Sequence, residues 1–155
     1  MSEKLERSVL LAPGSNWNMI QKTAAASADA VCIDLEDAVA PEEKGASRGN
    51  VIRAYRELDF GGKLRMFRMN GLDTPFAYRD LVEIVEAAGA HIDLIVVPKV
   101  GRPEDVHFVD TLLGQIESYK GYARQIGIEA LIETAQGCVN IREIAASSAR
   151  LQGFV

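Results

Sequence analysis

Short apolar runs alternate with helical stretches along the whole chain, and that alternation restricts the fold more than any other feature. Residues 8–12 read as a strand, Pro13-Gly14-Ser15-Asn16 as a turn with Asn16 or Ser15 as helix cap, and a helix follows to about 28. The second strand is 30–34. Pro41 opens the next helix at its first position, Glu42 and Glu43 suit the positive end of its dipole, and it runs to about 58. Gly61-Gly62 breaks to a third strand at 64–69. Thr74-Pro75 predicts a cap and a first-turn proline, with Leu81, Ile84, Val85 and Ala88 on one helical face. Residues 93–98 are a continuous apolar run, as a parallel strand covered on both sides requires. Pro103 starts a helix faced by Val106, Val109, Leu112, Leu113 and Ile116. Strand five is 128–132, its helix carries Ile141, Ile144 and Ala145, and 152–155 begins a sixth strand.

Five βα units and a sixth strand make a parallel α/β chain with right-handed crossovers. No linker or composition shift divides it, so residues 1–155 are expected to be a single domain. The pattern leaves two architectures open: a doubly wound sheet with its edge at Phe154-Val155, or the first two thirds of a barrel, which needs at least ~200 residues.

Composition narrows the function. At 155 residues, 48% hydrophobic and 25% charged, the chain is ordinary globular material. A net charge of -5 without a basic stripe argues against a nucleic-acid partner. No apolar run approaches the ~20 residues of a membrane helix, and residues 1–7 are charged with no signal-peptide core, so a cytoplasmic protein without a membrane partner is expected. Cys32 and Cys138 lack metal-type spacing and read as two buried thiols; His91 and His107 are at no ligand spacing and read as surface groups. No dinucleotide, phosphate-loop or Ser/His/Asp signature is present.

The chemistry gathers at strand ends. Asp34, Glu36 and Asp37 follow directly on the apolar run of the second strand, although crowded carboxylates repel one another and are costly to desolvate. Such a tip makes sense facing a cation, a proton-transfer site or a basic partner. Arg68 and Asn70 close the third strand, and Glu133 and Thr134 follow the fifth. Charged groups at the C-terminal ends of successive strands are the layout of an α/β barrel active site. Arg68 lies between Phe67 and Met69, so alternation turns it away from those apolar neighbours, where an ion pair with Asp34, Glu36 or Asp37 is one role open to it.

Several stretches, in this order, resemble the citrate lyase β-subunit (HpcH/HpaI aldolase/citrate lyase) family of metal-dependent carbon–carbon lyases. They are Arg7-Ser8 with Ala12-Pro13-Gly14, Asp34-Leu35-Glu36-Asp37-Ala38-Val39, Arg68-Met69-Asn70, Pro98-Lys99-Val100 and Ile132-Glu133-Thr134. Asn70-Gly71-Leu72-Asp73-Thr74-Pro75, Tyr78-Arg79-Asp80, Ile144-Ala145-Ala146-Ser147-Ser148 and Arg150-Leu151-Gln152 are similar to its malyl-CoA/β-methylmalyl-CoA lyase branch. The resemblance implies a (β/α)8 TIM barrel, of which this chain covers about the first five βα units and the start of strand six. The chain would then be C-terminally truncated, and the full-length enzyme a homotrimer or hexamer.

It also implies a reaction: reversible retro-Claisen cleavage of a 3-hydroxyacyl-CoA such as malyl-CoA to glyoxylate and acetyl-CoA, with Mg²⁺ or Mn²⁺ as Lewis acid. By the same resemblance Glu133 is a metal ligand and contacts the substrate, with a second ligand, an aspartate, expected beyond Val155. Arg68 would contact substrate and stabilise the enolate oxygen. Glu36 and Asp37 would accept hydrogen bonds from Arg68 and from metal-bound water, Asp37 being the better candidate for direct chemistry; Asp34 reads as a capping or ion-pair group. Leu11 to Asn16 would pass the coenzyme A, with Lys22 on its phosphates and Lys99 a further pocket residue. Asn16 stands where relatives often carry arginine, which removes one phosphate contact. Two other readings remain: a non-catalytic barrel fragment or CoA-binding partner module, and a metal-dependent aldolase on free 2-oxo acids.

Overall fold

Each apolar run becomes a strand in the computed structural model, which describes residues 6–155; the charged start, 1–5, lies outside them. The strands are β1 (Val9–Pro13), β2 (Ala30–Asp34), β3 (Leu64–Arg68), β4 (Leu94–Val97), β5 (Gly127–Ala130) and β6 (Leu151–Phe154). Between them run α1 (Trp17–Ala25), α2 (Lys44–Glu57), α3 (Ala77–Ala88), α4 (Pro103–Lys120) and the short pair α5 (Ala135–Val139) and α6 (Ile141–Ala145). All pairings are parallel, and the strand order across the sheet is β1-β2-β3-β4-β5-β6. A doubly wound sheet reverses its order at a switch point. This one does not, so that alternative is set aside.

The two faces of the sheet differ. On one, Val31, Ile33, Phe67, Ile95, Val97 and Ile128 pack against Ile20, Val51, Leu81, Ile84, Val106 and Leu113 of the helices, forming the main core. On the other, Ala30, Cys32, Leu64, Met66, Leu94 and Val96 form a smaller cluster made of strand residues alone. The register places Pro13, Asp34, Arg68, Val96, Glu129 and Gly153 in one row across this second face. Three of its members, Pro13, Asp34 and Arg68, end their strands.

Local chemistry sets the boundaries. Asn16 caps α1, its side chain accepting from the Met19 amide at 3.1 Å. That helix stops at Ala25, short of 28, because Ala26 is already extended. Pro41–Glu43 forms a separate 3₁₀ turn ahead of α2. Thr74 is not a helix cap: α3 begins after Phe76, and the Thr74 hydroxyl donates to the Gly71 carbonyl at 2.7 Å, closing a turn instead. At the start of α4 the Asp105 carboxylate accepts from the amides of Gly101 (2.8 Å) and Arg102 (3.1 Å), and the helix ends at Gly121 with φ 67°. The helix expected after β5 is broken at Asn140 into α5 and α6. Cys32 is buried, but Cys138 is exposed on α5, correcting the expectation of two buried thiols.

Candidate functional site

Asp34 and Arg68 are register partners at the ends of β2 and β3, and their side chains lock together. Arg68 Nε donates to Asp34 Oδ1 at 2.6 Å and Nη2 to Oδ2 at 2.7 Å, the forked geometry that suits guanidinium and carboxylate. Asp34 also accepts from the amides of Glu36 (2.9 Å) and Ala38 (3.0 Å), folding the acidic turn back on the strand tip. Burial pushes its carboxyl up, yet the bonds from Arg68 and the two amides outweigh burial and leave it below the usual carboxylate range. Arg68 is raised in turn, chiefly by its hydrogen bond to Asp34. Asp34 is thus both cap and ion-pair partner.

Glu36 continues the network. Its carboxylate is buried, with Oε2 3.2 Å from Arg68 Nη1 and Oε1 2.7 Å from Lys99 Nζ. The Arg68 contact is an ion pair without hydrogen-bond geometry, so Glu36 Oε2 has no hydrogen-bond partner. From below, the buried Lys44 ammonium donates to the carbonyls of Leu35 (2.8 Å) and Glu36 (2.9 Å) and holds the turn. Burial lowers the Lys44 pKa. Asp37 is different: its side chain is 68% exposed and lies 3.8 Å from Lys99 Nζ, and it is not among the partners of Arg68. The expected Arg68–Asp37 hydrogen bond is replaced by Arg68–Asp34, because the turn directs Asp37 outward.

Lys99, just after β4, ties this group to the next strand end. Its ammonium meets Glu36, while its backbone N–H donates to Glu133 Oε1 at 3.1 Å. It is the one non-glycine among the described residues with a left-handed backbone, at φ 54°. Its pKa is raised, chiefly by the bond to Glu36. Glu133 is exposed, three residues past β5, where Ile132 still pairs with Val155 (N to O, 2.9 Å) and Thr134 caps α5 through Gly137 N at 3.0 Å.

The turn after β1 reaches the same end of the sheet. Gly14 N donates to Asp34 O at 2.7 Å, and a Cβ at Gly14 would stand 2.9 Å from Leu35 Cδ2. Leu11 is half exposed on the strand-only face, in register with Cys32. The Asn16 side-chain oxygen is taken up in capping. Lys22 is exposed in the last turn of α1, on the order of 9 Å along the helix from the cap. Leu11, Asn16 and Lys22 are not among the bonding partners of the Arg68–Lys99 cluster.

The family model for HpcH/HpaI aldolase/citrate lyase matches residues 7–155. The chain belongs to that family. An L-malyl-CoA/β-methylmalyl-CoA lyase of Cereibacter sphaeroides is 48% identical over 148 residues, which are 96% of this chain and 46% of the relative. Among solved structures, the citrate lyase β subunit of Mycobacterium tuberculosis complexed with oxaloacetate and magnesium superposes with TM-score 0.72 at 28% identity, covering 98% of this chain and 59% of that one. Protein CitE of the same organism, in complex with magnesium, acetoacetate and coenzyme A, gives 0.71 at 26% identity, with 97% and 49% coverage. The chain spans about half the length of the curated relatives it matches.

Both of these solved structures hold magnesium, and the residues here can be tested against it. Magnesium prefers hard oxygens and typically takes only one or two protein carboxylates beside substrate and water. The described residues contain no group of three His, Cys, Asp or Glu able to hold a metal. They do contain Glu133, exposed and held through one oxygen by the backbone N–H of Lys99, whose ammonium meets Glu36 on the turn after β2. Such a donor set is compatible with a metal bound through few protein ligands.

Sequence reasoning missed Glu129 and Lys44. Glu129 is 4% exposed in the same row as Arg68, its Oε2 has no hydrogen-bond partner, and burial first and Glu6 second push it up to about 8. A lone carboxylate inside the run 128–132 was the available signal, since parallel strands rarely carry one. Lys44 gave none: a lysine in the first turns of a helix reads as solvated. Asp80 was visible only as part of a motif; it is fully buried and accepts from Asn70 N (2.9 Å), Asn70 Nδ2 (2.6 Å) and Arg48 (3.2 Å). It anchors α3 to the tip of β3.

Proposed function

We propose that this chain forms part of a Mg²⁺-dependent carbon–carbon lyase that cleaves a 3-hydroxyacyl-CoA such as malyl-CoA to glyoxylate and acetyl-CoA, reversibly. The observation that carries this reading is the Arg68–Asp34–Glu36–Lys99 network beside Glu133 at the C-terminal ends of successive parallel strands. The proposed fold is a single-domain (β/α)8 barrel, for which the sequential strand order is the support. A cytoplasmic homotrimer or hexamer, with Mn²⁺ able to replace Mg²⁺, completes the reading; no described helix is long and apolar enough to cross a membrane.

Each residue has a task in this scheme. A guanidinium has five N–H donors; three Arg68 nitrogens face Asp34 and Glu36, and the remaining N–H groups serve the thioester oxygen that becomes an enolate. Asp34 and Glu36 hold that fork rigid, so little reorganisation accompanies the charge shift. The hydroxyl proton passes to a carboxylate, for which Asp37 is placed, exposed beside Lys99 and in exchange with solvent. The carbon–carbon bond then breaks, its electron pair forms the enolate, and protonation of the terminal carbon yields acetyl-CoA. When bound, the metal supplies Lewis acidity toward the 2-oxo acid fragment. Leu11, Asn16 and the amides opening α1 line the thioester arm, with Lys22 toward the phosphates.

The test is glyoxylate release from malyl-CoA with Mg²⁺ and with chelator, beside methylmalyl-CoA, citramalyl-CoA and free 2-oxo acids. Metal-dependent release from an acyl-CoA by the full-length enzyme is expected. Turnover by that enzyme of free oxo acids only, or of none of these compounds, contradicts the proposal.

A further inference from the structure

Lys99 does two things that do not ordinarily go together. A residue with a Cβ disfavours the left-handed region on the order of tenfold, and a lysine has no short polar side chain to offset it. Residues persist there only where their surroundings over-determine the conformation. Here the surroundings are explicit. The ammonium is fixed 2.7 Å from the buried Glu36. Val100 N donates to Leu131 O at 3.3 Å, and Asn140 Nδ2 donates to Gly101 O at 2.7 Å. Val100 O sits so close to α5 that a Cβ on Gly137 would stand 2.4 Å from it. In this left-handed turn the Lys99 N–H donates to Glu133 Oε1 at 3.1 Å.

We infer that Lys99 is the positioning residue for Glu133, its ammonium on Glu36 holding its own backbone in the left-handed turn that orients the Glu133 carboxylate. This rests on the reading of Glu133 as a metal ligand. Lys99 touches no reacting atom in this scheme. It joins the Arg68 half of the site to the Glu133 half, so that Glu36 sets both. The consequence is unusual: glycine, which loses the ammonium and the whole side chain, should serve better at 99 than methionine, because glycine adopts positive φ freely.

Crystal structures of metal-free wild type, Lys99→Met, Lys99→Ala and Lys99→Gly, with Mg²⁺ titrations of each by calorimetry, test this. Lys99 is half exposed, so these variants should fold; thermal melts check that. In Lys99→Met and Lys99→Ala, residue 99 is expected at negative φ with Glu133 detached from its N–H, and Mg²⁺ affinity lower on the order of tenfold. Lys99→Gly is expected to keep positive φ, the Glu133 contact and an affinity within about threefold of wild type. Positive φ and an intact Glu133 contact in Lys99→Met overturn the inference, as does a Lys99→Gly variant as displaced as Lys99→Met. If wild type binds no Mg²⁺, the metal reading of Glu133 falls by itself, while the metal-free structures still decide what Lys99 positions.

Discussion

The two ends of the sheet are built from the same residue types and are finished differently. At the N-terminal ends of the strands three acids are saturated. Asp29, just before β2, accepts from Arg7 N (3.0 Å), Arg7 Nη2 (2.8 Å) and Ser8 N (3.2 Å). Asp93, just before β4, accepts from Arg65 N (2.9 Å) and Arg124 Nη1 (2.7 Å). Glu117 accepts from Ile126 N (2.7 Å) and from both terminal nitrogens of Arg150 (2.8 and 2.6 Å). At the C-terminal ends, Glu36 Oε2 lacks a hydrogen bond, Glu133 is exposed, and Lys99 has the one left-handed non-glycine backbone among the described residues. Saturated pairs fasten strands and helices, whereas unsatisfied oxygens and backbone strain mark an end arranged for something that is not protein. Ion pairs alone do not distinguish the two ends; what their acids leave unpaired does.

That contrast can be broken by substitution. The largest effect is expected at Glu133: in the full-length enzyme Glu133→Ala should abolish metal-dependent lyase turnover while leaving the urea midpoint unchanged, because the side chain is exposed and makes one bond. A lost midpoint would make Glu133 a structural residue. Next comes the opposite end. Arg150→Met leaves Glu117 and Asp110 without their cation, and removing one member of a buried pair costs roughly 3–5 kcal/mol. Urea denaturation measures it, and a loss below about 1 kcal/mol, the range of exposed pairs, would show the N-terminal network to be ornamental.

Arg68→Lys keeps the charge and loses the fork. Turnover of malyl-CoA is expected to fall roughly 10²–10³-fold, as for loss of an oxyanion donor. Activity within a few-fold of wild type would reduce Arg68 to the ion-pair role that its bonds to Asp34 also support. The smallest effect concerns Glu129. Its folded pKa of about 8 lies above its ordinary 4.5, so the folded state holds the extra proton, and the stability linked to it is lost as pH rises from about 4.5 to about 8. Glu129→Gln should flatten the stability–pH curve across that window. An unchanged slope in urea titrations would mean that Glu129 does not titrate there.

Much of the fold was legible because burial on both faces leaves short β-branched runs such as 94–97 with no polar residue, and their length and bounding turns favour strands over helices. Strand order was not legible, since alternation of strands and helices is common to barrels and open sheets. The break at Asn140 was hidden because Ile141 and Ile144 keep a helical spacing, while the Asn140 side chain leaves the helix to bond Gly101. At the site, alternation placed Arg68 on the face opposite Phe67 and Met69, which pack with the helices. The partner choice of Arg68 was not readable: Asp34, Glu36 and Asp37 are within reach of one another in sequence, and only the turn held by Lys44 and the Asp34 carboxylate decides which two face inward. Lys99 was a lysine after a strand; a backbone angle has no signature in composition.

The central claim is that the unsaturated end of the sheet takes a divalent cation through Glu133. Calorimetric titration of Mg²⁺ into the wild-type protein and into Glu133→Ala, with circular dichroism on both, tests it most directly. Saturable binding by wild type, lost in a variant of unchanged spectrum, is the expected result. Equal Mg²⁺ affinity in the two would contradict it and would place the metal away from Glu133.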